Sequence, residues 1–175
     1  IAHMWNTPEK NEWKTGAVGI GSSEACMLGG VSAWMRWRKR RMQQGKPYDK
    51  PNLIISSAYQ VVWEKFCQLW QIEMRTIPIT HKHPTLNIEE VIETCDENTI
   101  CVVPIAGVTW TGMNDDIEAL DDALEQYNRI TGYDIPIHVD AASGGFILPF
   151  LKPEKKWDFR LKWVLSISSS GHKYG

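Results

Sequence analysis

The run Ser168-Ser169-Ser170-Gly171-His172-Lys173-Tyr174 sets a primary amine among small hydroxyls and a glycine. Such a nest lets a ligand approach the backbone closely. A lysine there has three uses. It can be a solvated surface charge, a phosphate ligand or, where its surroundings lower its pKa, a nucleophile that condenses with an aldehyde. A second run, His138-Val139-Asp140-Ala141-Ala142-Ser143-Gly144-Gly145, puts one carboxylate ahead of several small residues. Asp140 reads either as a loop or capping acid or as the partner of a flat heterocycle lying against those residues. A carboxylate facing a ring nitrogen keeps it protonated and makes the ring a better electron sink. A third run, Gly21-Ser22-Ser23-Glu24-Ala25, offers hydroxyls and free amides at a helix start, which is a seat for phosphate. The spacing matches neither a P-loop nor a dinucleotide fingerprint.

These groups need elements to hold them. Gly21 to Gln44 reads as a long helix, with Ala25, Leu28, Val31 and Met35 at helical spacing and Gly45-Lys46-Pro47 as its stop. Asn52 to Ser56 reads as a strand, and Ser57 as the cap of a helix running through Trp63, Phe66 and Trp70. Glu73 to Ile79 alternates as a strand. Asn87 and Glu90 resemble a capping box that opens a helix to about Thr94. Ile100 to Pro104 is an apolar strand. Asp115 and Asp116 start a helix bearing Ile117, Leu120, Ala123, Leu124 and Tyr127, and Gly132 ends it. Ile135 to Val139 and Trp163 to Ser168 complete the strands. Strand and helix thus alternate, which predicts an α/β fold with a mainly parallel sheet flanked by helices. Ligands of such sheets sit beyond the carboxyl ends of the strands. Gly107-Val108-Thr109, Asp140 and Ser168 to Lys173 all fall there, joined by Gly21 to Ser23. One pocket is expected to collect all four.

The chain has 175 residues, 43% of them hydrophobic, enough for one domain with a real core and too apolar for a disordered tail. Its net charge of −2 argues against a general polyanion binder. Arg36, Arg38, Lys39, Arg40 and Arg41, interleaved with Trp34 and Trp37, raise nucleic-acid binding as an alternative, but read better as a salt-bridged helix face. No run of apolar residues reaches bilayer length, and no membrane partner is expected. Cys26, Cys67, Cys95 and Cys101 are irregularly spaced and read as free thiols of a reducing, cytoplasmic compartment. His81 and His83 lack a ligand cluster and read as a polar loop, so no metal is expected. The start at Ile1 and the stop just after the Lys173 run suggest a piece of a longer chain.

Taken together the motifs resemble the group II pyridoxal-phosphate-dependent decarboxylases. The resemblance rests on the Asp140 and Lys173 runs, the latter closed by Gly175, and on Gly21-Ser22-Ser23-Glu24-Ala25-Cys26-Met27-Leu28-Gly29-Gly30. Lys46 to Asn52, Gly107 to Gly112, Phe146 to Phe150 and Trp157 to Arg160 make it most similar to the glutamate decarboxylase branch, from about Trp5 to Gly175. It implies that residues 1–175 form the core of a large domain that binds pyridoxal 5'-phosphate, without the N-terminal segment and small C-terminal domain of the family. Lys173 would bind the cofactor aldehyde covalently, and Asp140 would pair with the ring nitrogen. Ser22, Ser23, Ser170 and His172 would hold its phosphate, with His172 also in the catalytic set, and Thr109 and Ala142 would contact the ring. Gln60 matches the position that stacks on the ring, where the glutamate branch has Gln and many relatives His. Ser169 replaces an apolar residue common in the family. The implied reaction is decarboxylation of L-glutamate to 4-aminobutyrate in a homo-oligomer. The alternatives are an aspartate, sulfinate or aromatic substrate, or a fragment without activity.

Overall fold

Short segments rich in β-branched residues form the strands, and longer amphipathic ones cross between them. The structure, a computed structural model, describes residues 1–8 and 16–174; Gly175, which closes the lysine motif, lies outside them. The strands are β1 (Asn52–Ser56), β2 (Glu73–Ile77), β3 (Thr99–Val103), β4 (Ile137–Asp140) and β5 (Val164–Ser168). The helices are α1 (Ser22–Gln43), α2 (Val61–Trp70), α3 (Ile88–Thr94), α4 (Ile117–Thr131) and the single turn α5 (Leu148–Leu151); a 3-10 turn spans Gly171–Lys173. The described strands make one sheet of order β2-β1-β3-β4-β5, with every pair parallel. The expected α/β architecture is therefore present.

Every residue of β1 and β3 is buried. This is what a parallel sheet covered on both faces requires, and each such Ile, Leu or Val contributes roughly 1.5–3 kcal/mol. On one face Leu53, Ile55, Cys101 and Val103 pack against α1 and α2 through Cys26, Ala33, Trp37, Val62, Trp63 and Phe66. On the other, Ile54, Val102, Ile137 and Val139 meet Val91, Ile117, Leu120, Leu124 and Leu148 from α3, α4 and α5. Trp5 joins that second layer. Its indole donates to the Gly145 carbonyl at 2.8 Å, and its own carbonyl accepts from Phe159 at 3.3 Å. The Trp157-Asp158-Phe159-Arg160 motif serves this anchorage. Buried Asp158 takes the Arg160 guanidinium at 2.8 Å and the Asn6 amide at 3.0 Å.

Several local expectations change. The buried face of α1 is Cys26, Gly29, Gly30, Ala33, Trp37 and Arg41, while Leu28 and Met35 are exposed. The apolar stripe lost to the glycine face because only glycine fits there. A Cβ on Gly29 would sit 2.2 Å from the His138 ring, and one on Gly30 2.6 Å from Phe66. Ser57 caps no helix. Its hydroxyl accepts from the Ile79 amide, and α2 begins later, after Gln60. Asn87 precedes α3 without a side-chain cap. Asp116 does cap α4, accepting from Ala119, and Gly132 ends it at φ 72°. Asp115 instead turns inward and accepts from the amides of Leu86 and Ile105. The arginines of α1 are engaged within the fold: Arg36 and Arg40 pair with Asp134, and buried Arg41 with Glu97. Arg38 lies over the rings of Trp34 and Tyr48.

Candidate functional site

The strand order reverses direction between β1 and β3, and a crevice opens at such a switch point beyond the strand ends. Gln60, after β1, donates its side-chain amide to the Thr109 hydroxyl, after β3, at 2.9 Å. That bond joins the two loops that leave the switch point. One strand further on, the backbone of Asp140 is pinned from both sides. Its amide donates to Pro104 and its carbonyl accepts from Ala106, while Ala141 donates to Ser168 of β5. Gly144 then donates to the Ala106 carbonyl, an approach so close that a Cβ there would lie 2.6 Å from that oxygen.

Asp140 is 3% exposed. One oxygen accepts from the Trp63 indole at 2.8 Å, the other from the Ala142 amide at 3.2 Å. Burial raises its pKa, and the hydrogen bonds from Trp63 and Ala142 and the charge of Lys173 work against that rise. A carboxylate in this position gains most from a cationic partner. Lys173 is exposed and donates to the Ser143 hydroxyl at 3.2 Å; Tyr174 donates to the carbonyls of Ser143 and Ala142. The Asp140 and Lys173 runs thus meet at the Ala142–Ser143 turn. Ser169, bonded to the Ala141 carbonyl at 3.0 Å, ties the same loop to β5.

A cavity of about 590 Å³ lies beside this turn. Gly21 and Ser22 at the start of α1 line it together with Ser168, Ser169, Gly171 and His172. Ser22 opens a 22-residue helix without a side-chain cap, so its first amides face outward. Buried Ser170 holds the His172 ring, with Oγ 3.1 Å from Nδ1. Glu24 bends back to accept from the Ile20 amide. Ser22 and His172 share the cavity, while Asp140, Ala142, Lys173, Gln60 and Thr109 cluster at the strand ends outside its lining, and Ser23 is exposed outside it.

Sequence reasoning missed Trp63, Cys26, Ser143 and His138. Trp63 looked like one more apolar residue of α2, and only its burial against β4 reveals the indole bond. Cys26 Sγ lies 3.2 Å from Ser168 Oγ and, with its pKa pushed up by burial to about 12, stays a thiol. The four cysteines are free and buried. His81 and His83 sit in a turn, and no group of metal-holding side chains occurs among the described residues.

His138 lies between Ser166 at 2.7 Å and Ser168 at 3.1 Å, and burial pushes its pKa down to about 3. The ring is neutral when folded but takes a proton in the unfolded chain below its ordinary value near 6.5. Its contribution to stability is therefore full above that value and is lost as the pH falls toward 3, by up to about 1.4 kcal/mol per pH unit. Burial raises Asp115 and Asp140, which acts in the opposite sense, so the comparison to make is with a variant. His138→Gln is expected to flatten the acid side of the melting temperature measured against pH. An unchanged acid limb would contradict a buried neutral ring.

The model of the pyridoxal-dependent decarboxylase conserved domain matches residues 1–175. The chain is 55% identical over its whole length to the glutamate decarboxylase of Lactococcus lactis subsp. cremoris and 54% identical to glutamate decarboxylase beta of Listeria monocytogenes. It spans 38% of the length of each of these relatives. A solved glutamate decarboxylase of Lactobacillus brevis superposes with a TM-score of 0.94 at 50% identity, over 99% of this chain and 40% of that one. A TDC of Oryza sativa determined with PLP and tryptamine superposes at 0.74 with 23% identity, over 99% of this chain and 37% of that one, a likeness of fold alone.

Proposed function

The chain belongs to the pyridoxal-dependent decarboxylase family, and from that premise we propose that the full protein binds pyridoxal 5'-phosphate and decarboxylates L-glutamate to 4-aminobutyrate and carbon dioxide. Residues 1–175 are the core of its cofactor domain. One observation carries the reading. A buried carboxylate and an exposed primary amine, Asp140 and Lys173, come from neighbouring strand ends to one turn of small residues. The donor set suits the group. Asp140 has a donor on each oxygen and the charge of Lys173 acting on it, and a protonated ring nitrogen would add a direct cationic partner.

Bound there, pyridoxal phosphate supplies an electron sink for the pair left behind when carbon dioxide departs. The protein does the rest. Asp140 would hold the proton on the ring nitrogen. Lys173, whose amine meets the Ser143 hydroxyl, would present that amine to the aldehyde. The free amides of α1, with Ser22 and His172 of the cavity and Ser23 and Ser170 beside them, would hold the phosphate. Ala142 and Thr109 would contact the ring, and Gln60, bonded to Thr109, would cover it. His172 and Lys173 would hold and move protons beside it.

Similarity to proteins named glutamate decarboxylase, together with Gln60, supports glutamate as the substrate. Carbon dioxide release by the full protein is expected to favour glutamate over aspartate by about 10–200-fold in kcat/KM, the effect of one methylene, and over tyrosine by more. Equal or faster release from tyrosine would overturn the substrate. A homo-oligomer in the cytoplasm completes the reading. Light scattering of the purified protein tests the first part, and a monomer would contradict it.

A further inference from the structure

We propose that Trp63 is the positioning residue for Asp140, its indole N–H fixing the carboxylate's orientation and keeping it ionised towards the ring nitrogen. The inference rests on the role given to Asp140 above. Trp63 is fully buried, and its Nε1 meets Asp140 Oδ2 at 2.8 Å. The other oxygen meets the Ala142 amide at 3.2 Å. Each oxygen thus has a donor, one from α2 and one from the turn after β4, and the Cys26 thiol adds a further hydrogen bond. Two donors on two oxygens fix the plane of the carboxylate, which a single bond would leave free to rotate. An indole N–H can only donate, so this contact favours the charged form of the acid.

The indole is itself clamped. Its ring packs edge-to-face on Phe66 and on His138, with centroids 6.0 and 5.2 Å away. His138 is held by Ser166 and Ser168, and Gly29 leaves its ring the space it needs. The titratable groups facing Asp140 are Cys26 from α1 and Lys173 from the 3-10 turn, with His138 beside Trp63 on β4. Cys26 stays a thiol and His138 neutral. Lys173 supplies a positive charge, but in the proposed function its amine is committed to the aldehyde. The Trp63 and Ala142 donors then remain as standing support for the charge on Asp140.

The test uses the full protein with Trp63→Phe, and with 3-benzothienylalanine at position 63, which keeps the bicyclic outline and lacks the N–H. Should the first variant fail to fold, the second carries the test. In the apoprotein, the infrared band of protonated Asp140, identified with Asp140→Asn, is expected to show a midpoint raised by about one pH unit. In the holoprotein, the 15N signal of labelled pyridoxal phosphate is expected to move towards the unprotonated ring. The kcat is expected to fall about tenfold with KM within about twofold. An unmoved midpoint and 15N signal overturn the proposal, even if kcat falls, because that is the pattern of a merely structural residue. If the wild-type protein binds no pyridoxal phosphate, the functional reading fails, while the apoprotein midpoint still decides whether Trp63 sets the ionisation of Asp140.

Discussion

Lys173→Ala is expected to abolish the visible absorbance of covalently held cofactor and to lower turnover by at least about a thousandfold. The fold should survive it. Lys173 is exposed, and its described hydrogen bond is a single one, to the Ser143 hydroxyl. A surface truncation of this kind changes stability by about 0.5 kcal/mol or less. Tyr174 still bonds the carbonyls of Ala142 and Ser143, so the turn keeps its shape. Lost turnover with an unchanged melting temperature is therefore the signature of chemistry at Nζ. A variant that kept the band and its activity would show that another group does this work.

Asp140→Asn is expected to reduce kcat about 10²- to 10³-fold, the range seen when one electrostatic group aimed at the reacting system is removed. Its effect on folding is the difference of two opposed terms. Asn can accept on one atom only, so one of the two donors, Trp63 or Ala142, is left facing an amide nitrogen, at about 1–3 kcal/mol. Against this, a nearly fully buried charge disappears, which removes its desolvation penalty. The melting temperature should therefore move little while turnover collapses. Near-normal turnover would contradict the part given to this carboxylate. A collapse of both would assign Asp140 to folding instead.

Much of this arrangement was legible in the residues because it is local. The strand ends carrying Thr109, Asp140 and Ser168 follow from short β-branched runs followed by small residues, and the Gly132 stop of α4 from the left-handed conformation that glycine tolerates. What escaped depends on pairs distant in sequence. Leu28 and Met35 make a plausible apolar stripe until Gly29 and Gly30 prove to be the side that can approach His138 and Phe66. Asp115 and Asp116 look alike in sequence, yet one caps a helix and the other is drawn inward by two amides 10 and 29 residues away. Trp63 and Asp140 stand 77 residues apart, and nothing in helical periodicity tells an indole that fills space from one that also donates a bond.

The cofactor's covalent bond to Lys173 is the most direct point of test. Borohydride reduction of the full protein loaded with pyridoxal phosphate, followed by peptide mass mapping, should leave a single phosphopyridoxyl group, on the peptide containing Lys173. The label on any other lysine, or no label at all, would contradict it.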